Sequence, residues 1–247
     1  HKGGCGKTTT VVHLATEIAN KGKKVLIIDL DPQANASLHV GRKHPSEVAV
    51  TTAELLTGHP ELLTEALEEQ TNFDNVSLIY GSLNLGRTED QLKENAPRPS
   101  EELVTKVEFL KDLYDYILID CPPSLKLLTS NALASSTHII IPIESGSQYG
   151  LYGVTDLINH LEKIKRINPN LKLLGALLIK HDSRQTVCKL IHEEAYKQVG
   201  LILDTKIPQS TKVNQAAILK KPLFKLEKNS KVRIAFQELA EEIMAKV

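Results

Sequence analysis

The 247-residue chain is 41% hydrophobic and 24% charged, which is enough to bury the core of one α/β domain. Lys plus Arg and Asp plus Glu both number 30, so the net charge is zero and overall basicity cannot indicate a nucleic-acid partner. The three cysteines lack Cys-x-x-Cys spacing, which argues against a disulfide framework or a metal site and favours a reducing cytoplasm. No apolar run approaches the ~20 residues that span a bilayer.

The chain opens on a glycine-rich loop that has the composition of a phosphate-binding loop. His1 stands where the usual Walker A pattern has glycine, but glycines, lysine and hydroxyls then follow in the required order. Such a loop turns backbone N–H groups toward phosphates, and the next helix adds positive charge at its N-terminus. The alternatives are a chance glycine-rich turn and a loop that binds nucleotide without hydrolysis. We predict nucleotide contacts from Gly3, Gly4, Cys5, Gly6, Lys7, Thr8 and Thr9, with Lys7 neutralising phosphate and Thr8 binding Mg²⁺.

Apolar runs then alternate with amphipathic stretches, the pattern of βαβ units. The runs lack polar alternation, which indicates a sheet covered on both faces. We therefore predict one domain over 1–247 with a doubly wound, mostly parallel sheet and helices on both faces. Because a phosphate-binding loop normally follows a buried strand, we also expect a strand of about six residues before residue 1. The predicted strands are 25–29, 76–80, 116–120, 138–142, 173–179 and 203–207, and the predicted helices include 8–20, 125–134, 149–166 and 186–199.

Residues 41–112 form the least regular part of the pattern. Two helices are expected there, at 60–70 and 101–113, separated by the break at 97–100. The acidic run of Glu65, Glu68 and Glu69 is interpreted as a solvated helix face.

Two of the predicted strands end in aspartates. Asp29 ends the first and is followed by Asp31-Pro32, and Asp120 ends the strand 116–120. Carboxylates at the carboxyl ends of strands beside a phosphate loop lie where ligands bind in open sheets. An Asp-Pro turn is the alternative for the first pair. Asp120 completes a Walker B element and is expected to hold Mg²⁺ through a water, whereas Cys121 is expected to be a packed residue.

The segment 206–233 concentrates positive charge, with eight cations against Glu227 alone, a local net charge of +7. Such a stripe on a neutral chain favours sequence-independent binding of duplex DNA, with a solvated basic face as the alternative. After it, apolar residues recur at helical spacing and acids lie between them, which favours a helix packed on the domain over a membrane tail. The apolar positions are Val232, Phe236, Leu239, Ile243 and Val247.

Taken together, the motifs resemble those of the ParA/MinD group of ATPases, whose deviant Walker A loop carries a second lysine, here Lys2. The resemblance also rests on the Asp29–Gln33 segment, on the two prolines after Cys121 and on the late Ile207-Pro208 pair. It covers nearly the whole chain and is weakest over 41–112.

The resemblance implies roles for individual residues. Asp31 would orient the attacking water, with Asp29 in the metal shell. Lys2 would cross a two-fold axis to the nucleotide of the partner subunit in an ATP-bound homodimer. Pro208 would lie near the adenine, as would the segment 180–184. The residues expected to contact DNA are Arg184, Lys206, Lys212, Lys220, Lys221 and Lys225.

The function implied by this resemblance is that of a ParA-type DNA-partition ATPase. It would use ATP and Mg²⁺, dimerise on ATP, bind double-stranded DNA nonspecifically in the cytoplasm at the nucleoid, and be released when a ParB-like centromere-binding protein stimulates hydrolysis. No membrane partner is expected. The alternatives are a MinD-like membrane-associated division or positioning ATPase and, less compatible with the cysteine positions, an electron carrier resembling the nitrogenase iron protein.

Overall fold

The computed structural model describes residues 3–147 and 149–247. Its strands are β1 Val25–Asp29, β2 Leu67–Glu68, β3 Val76–Ile79, β4 Tyr116–Asp120, β5 His138–Glu144, β6 Lys172–His181 and β7 Ile202–Pro208. Its α-helices are α1 Lys7–Ala19, α2 Asn35–Val40, α3 Thr52–Thr57, α4 Leu63–Ala66, α5 Leu85–Asn95, α6 Glu102–Leu110, α7 Leu127–Ser135, α8 Val154–Ile164, α9 Thr186–Val199, α10 Lys212–Ile218, α11 Leu223–Leu226 and α12 Lys231–Lys246. Short 3₁₀ helices occur at Pro45–Glu47 and Pro60–Leu62.

The strands form two ladders that are parallel except at one edge. The first has the order β2-β3-β1-β4, with only β2 antiparallel, and the second has the order β5-β6-β7. Helices flank these layers, so the predicted fold class is confirmed. The register pairs Asp29 of β1 with Asp120 of β4, which places the two carboxylates side by side at the carboxyl ends of neighbouring strands.

The helix predicted over 60–70 is wrong in its second half. The helical turn α4 ends at Ala66, and Leu67–Glu68 forms the edge strand β2, in which Leu67 pairs with Ile79. The Glu68 carboxylate accepts a hydrogen bond of 2.7 Å from the Tyr80 hydroxyl, so Glu68 does not lie on a solvated helix face. Strand pairing with β3 therefore outweighs the local helical pattern.

Facing edges of β4 and β5 border an apolar slot. Within the described ranges neither edge pairs with a further strand. The slot has a volume of about 430 Å³ and is lined by the two strands and by apolar residues of α1, among them Val11 and Leu14. The strand predicted before residue 1 stays a prediction, but a parallel strand in this slot would join the two ladders into one continuous sheet.

The last helix packs on the domain as predicted. On α12, the side chains of Val232, Phe236, Leu239 and Ile243 are buried against α1 and β7, whereas Val247 beyond its end is 55% exposed. None of the helices described is both long and apolar enough to cross a membrane.

Two histidines are buried in the core beneath this helix. The rings of His13 on α1 and His39 on α2 meet edge to face with centroids 5.6 Å apart, and the Phe236 ring lies 5.0 Å from His13. Neither Nε2 atom has a hydrogen-bond partner in the part of the chain that is described. Burial lowers the pKa of His13 to about 3 and that of His39 to about 4, so both rings are neutral at pH 7.

We expect the free energy of unfolding to fall as the pH drops below 6.5. In the unfolded chain both histidines take up a proton near pH 6.5. In the folded chain His39 is protonated only near pH 4 and His13 only near pH 3. The contribution of the two neutral histidines to the free energy of unfolding is therefore fully present above pH 6.5. It is lost on acidification, by up to about 1.4 kcal/mol per pH unit for each histidine. Urea unfolding between pH 7 and pH 4.5 measures this dependence. In His13→Leu/His39→Leu the free energy of unfolding should depend less on pH than in the exposed-residue control His44→Gln/His59→Gln. An equal pH dependence in both variants would contradict the assignment of this effect to His13 and His39.

Candidate nucleotide site

The loop before α1 has the backbone of an anion cradle. Gly4 and Gly6 adopt φ of +78° and +75°, a left-handed conformation that favours glycine. A Cβ at Gly6 would also lie 2.5 Å from Cδ1 of Ile179, so the Ile179 side chain would have to shift to admit one. Helix α1 runs for 13 residues from Lys7, with no side-chain cap and no acidic residue in its first turn. Its first N–H groups and its dipole are therefore directed at the site before the helix.

Three predicted carboxylates converge beside this helix terminus. Asp29 and Asp120 are fully buried and Asp31 is 7% exposed. Asp29 is held by the protein itself: one carboxylate oxygen accepts the Ser37 N–H at 2.9 Å and the Ser37 hydroxyl at 2.7 Å, and the other accepts the Asp31 N–H at 3.1 Å. Asp31 accepts the Gln33 N–H at 3.0 Å and is the most accessible of the three.

Asp120 differs from Asp29 and Asp31 in its hydrogen bonding. Neither of its oxygens has a hydrogen-bond partner among the described residues, although the side chain is fully buried. Burial and the charge of Asp29 raise the pKa of Asp120, whereas the Thr8 hydroxyl and Lys7 lower it. An unpaired buried carboxylate is costly, and the oxygens of Asp120, Thr8 and Asp29 are the donors that Mg²⁺ prefers. The residues present therefore fit a magnesium site.

Lys7 lies within this cluster, close to Cys5. Its ammonium is 3.7 Å from the Cys5 sulfur, and its charge reaches Asp120. Cys121, the residue after Asp120, is half-buried and packs against the apolar cluster around Leu26 and Leu128, as predicted. Burial and the Asp120 charge raise the pKa of its thiol to about 12. His1 and Lys2 lie outside the described residues, so the role predicted for Lys2 stays a prediction.

Ser37 and Gly81 complete the site and were not found by sequence reasoning. Ser37 anchors Asp29, and its hydroxyl in turn accepts the Gly81 N–H at 2.9 Å. A Cβ at Gly81 would lie 2.9 Å from Cγ of Asp29, so this position has no room for a side chain. The available signals were weak: a serine six residues after Asp31, and a glycine after the strand predicted at 76–80.

Pro208 and the segment 180–184 lie at the same end of the second ladder. Pro208 ends β7 and pairs in register with His181, the last residue of β6. The His181 Nδ1 lies 3.0 Å from the hydroxyl of Ser145, which is fully buried. Pro208 and His181 therefore lie at the carboxyl ends of their strands, the edge at which α/β sheets bind ligands. The contact between Pro208 and adenine stays a prediction.

Ion pairs occupy several of the cations in the segment 206–233. Lys212 pairs with Glu227, the Lys225 ammonium lies 2.9 Å from Asp74, and Arg233 binds the buried Glu17 at 3.2 Å. Outside this segment, Arg184 is 87% exposed and forms a bidentate pair with Asp182. The local charge available to a partner is therefore smaller than the sequence suggests. The cations of the segment that form no ion pair within the described ranges are Lys206, Lys220, Lys221, Lys228 and Lys231.

The chain is similar to several known proteins. A family model described as an AAA domain matches residues 1–173. The sporulation initiation inhibitor protein Soj of Bacillus subtilis is 34% identical over 248 residues, which cover 99% of this chain and 95% of Soj. The chromosome partitioning protein ParA of Caulobacter vibrioides is 31% identical over 99% of this chain and 91% of its own length. A crystal structure of cobyrinic acid a,c-diamide synthase from Mycobacterium smegmatis with bound ATP analog and magnesium superposes with a TM-score of 0.84, at 30% identity, over 98% of this chain and 91% of that chain.

Proposed function

The chain belongs to the ParA/Soj family of P-loop ATPases, and from this premise we propose that it is a DNA-partition ATPase. It binds ATP with Mg²⁺, dimerises in that state and holds double-stranded DNA without regard to sequence at the nucleoid. Hydrolysis, stimulated by a ParB-like partner, returns it to a form that releases DNA.

One observation supports the nucleotide chemistry above the others: Asp120 is buried beside the phosphate loop, and neither of its oxygens has a hydrogen-bond partner within residues 3–147 and 149–247. Thr8 and Asp120 would hold Mg²⁺, with Asp29 behind them, and the metal supplies charge neutralisation of the phosphates. Lys7 and the N–H groups of Gly3, Gly4, Cys5, Gly6, Thr8 and Thr9 would bind the phosphate oxygens. Asp31, the most accessible of the three carboxylates, would orient the attacking water in line with the γ-phosphate.

The DNA-binding part of the proposal is supported by the lysines of the segment 206–233 that form no ion pair within the described ranges. It is also supported by the similarity to Soj and to the chromosome partitioning protein ParA. Lys220 and Lys221 follow α10 directly, and Lys221 is exposed. In a two-fold dimer both copies of this segment can contact one duplex, so the second contact becomes effectively intramolecular. This would make the DNA affinity depend on ATP.

We expect Lys220→Glu/Lys221→Glu to weaken DNA binding on all sequences alike while ATP affinity stays unchanged. Wild-type binding should need ATP rather than ADP, and log K should fall with log salt with a slope of about −0.9 per phosphate neutralised. Fluorescence anisotropy over a salt series measures both effects. The matched control is Lys163→Glu/Lys172→Glu, two exposed lysines that form no ion pair in the described part of the chain. Equal binding with ADP, or equal weakening by the control, would reject the proposed surface.

We expect Lys2→Ala to retain ATP but to lose the ATP-dependent dimer and turnover together. The reason is that a lysine donated across the two-fold axis neutralises charge on the partner's nucleotide. Size-exclusion chromatography with light scattering in ATP distinguishes dimer from monomer, and Lys23→Ala serves as the surface control. A wild-type dimer from Lys2→Ala would show that this lysine does not act in trans.

A further inference from the structure

A second large cavity lies away from the nucleotide site and is lined by residues between Arg42 and Leu113. It is an open groove of about 1150 Å³ between the segment around Pro60–Leu62, the edge strand β2 and helix α6. Sites for small ligands are usually enclosed and of about 300–1,000 Å³. The size and openness of this groove therefore suit a length of polypeptide better than a small molecule.

The groove presents apolar side chains to solvent. Phe109 on α6 is 62% exposed and Leu113 just beyond it is 57% exposed, and both line the groove together with the half-buried Leu63. Large apolar side chains grouped along one groove, rather than scattered singly, are typical of an interaction surface. These residues give an incoming segment an apolar anchor.

The rim of the groove is acidic. Four glutamates line it against only two cations, Arg42 and Lys43. Glu61, Glu65 and Glu69 are exposed and form no ion pair within the residues described, whereas Glu68 is engaged by Tyr80. The Arg42 guanidinium is already engaged, because it donates to the Thr71 carbonyl oxygen at 3.2 Å. Four glutamates and two cations give the lining a formal net charge of −2, so the groove is acidic toward a partner.

One wall of the groove is connected to the nucleotide site through helix α2. The Lys43 N–H donates to the Tyr80 hydroxyl at 3.1 Å, and this hydroxyl donates to Glu68. Arg42 and Lys43 follow the six-residue helix α2, whose Ser37 holds Asp29. A segment bound in the groove would thus contact the chain at Arg42, five residues after Ser37, which holds Asp29.

We propose that this groove docks a basic amphipathic peptide segment of a partner protein. Apolar side chains of the peptide cover Phe109 and Leu113, and its lysines or arginines pair with Glu61, Glu65 and Glu69. Complementary charge and an apolar anchor together are what a specific peptide site requires. The proposal rests on the groove alone and does not depend on the proposed function.

The test uses the full chain and a fluorescein-labelled peptide of alternating leucine and lysine, with a leucine and glutamate peptide as charge control. We expect anisotropy to detect binding of the lysine peptide only. Glu61→Lys/Glu65→Lys should raise its Kd about tenfold or more, and Phe109→Ser/Leu113→Ser should raise it comparably. The matched controls are Glu193→Lys/Glu238→Lys for charge and Leu190→Ser/Leu201→Ser for exposed apolar area.

Each outcome bears on the groove itself. Weaker binding in both groove variants, with both controls at the wild-type Kd, supports the site. No binding to the wild type, or equal weakening in groove and control variants, overturns it. Circular dichroism of each variant reports folding, and ATP affinity measured in parallel shows whether the nucleotide site is intact, so a failure of the proposed function is seen separately.

Discussion

Replacing Lys7 with alanine is expected to lower ATP affinity by at least about 100-fold. Lys7 opens α1 at the phosphate loop, and its charge reaches into the aspartate cluster at Asp120. Without it, a triphosphate would enter a partly desolvated cradle with one cation fewer, at a cost of roughly 1.5–3 kcal/mol for each charge-assisted hydrogen bond lost. Isothermal titration calorimetry with ATP and Mg²⁺ measures the change.

Lys23→Ala is the control for Lys7→Ala. Lys23 precedes β1, at the opposite end of the strand from the aspartates, and pairs with Asp115 at 3.4 Å across the exposed surface. It should leave ATP affinity unchanged. If Lys7→Ala also bound ATP like the wild type, the loop would not be a phosphate site and the proposed function would be rejected.

Replacing Asp31 with asparagine is expected to separate ATP binding from hydrolysis. Asparagine keeps the oxygen that accepts the Gln33 N–H, so the turn is preserved, but it cannot take a proton from water. We expect kcat to fall about 10²–10⁴-fold, the usual contribution of a general base, while ATP affinity stays within about twofold. Phosphate release at saturating ATP measures kcat, and the ATP-bound dimer should accumulate.

The control for Asp31→Asn is Asp204→Asn on β7, an exposed aspartate whose backbone N–H donates a hydrogen bond to Glu242. It should hydrolyse ATP at the wild-type rate. Should Asp31→Asn retain full turnover, another group would have to orient the water. A loss of ATP affinity in Asp31→Asn would instead place Asp31 in the metal or phosphate shell.

Local sequence determined the glycine-rich loop, the bounds of β1 and β4, and the fold class. Gly4 and Gly6 are required by backbone conformation at those positions, and the apolar runs before Asp29 and Asp120 predicted β1 and β4 with their observed bounds. These signals are contained in a few consecutive residues, because glycine permits a left-handed φ and a strand buried on both faces needs an unbroken apolar run.

Tertiary structure alone decided which charged groups are free and which are held. Glu68 became part of an edge strand because β3 pairs with it. Asp29 gained a partner in Ser37, whereas Asp120 has no hydrogen-bond partner in the part of the chain that is described. Two cations of the basic segment are bound by acids far away in the chain: Arg233 by Glu17, 216 residues distant, and Lys225 by Asp74, 151 residues distant. A charge count along the sequence cannot register such pairs, because the pairing free energy depends on distance and burial in the folded protein rather than on spacing in the chain.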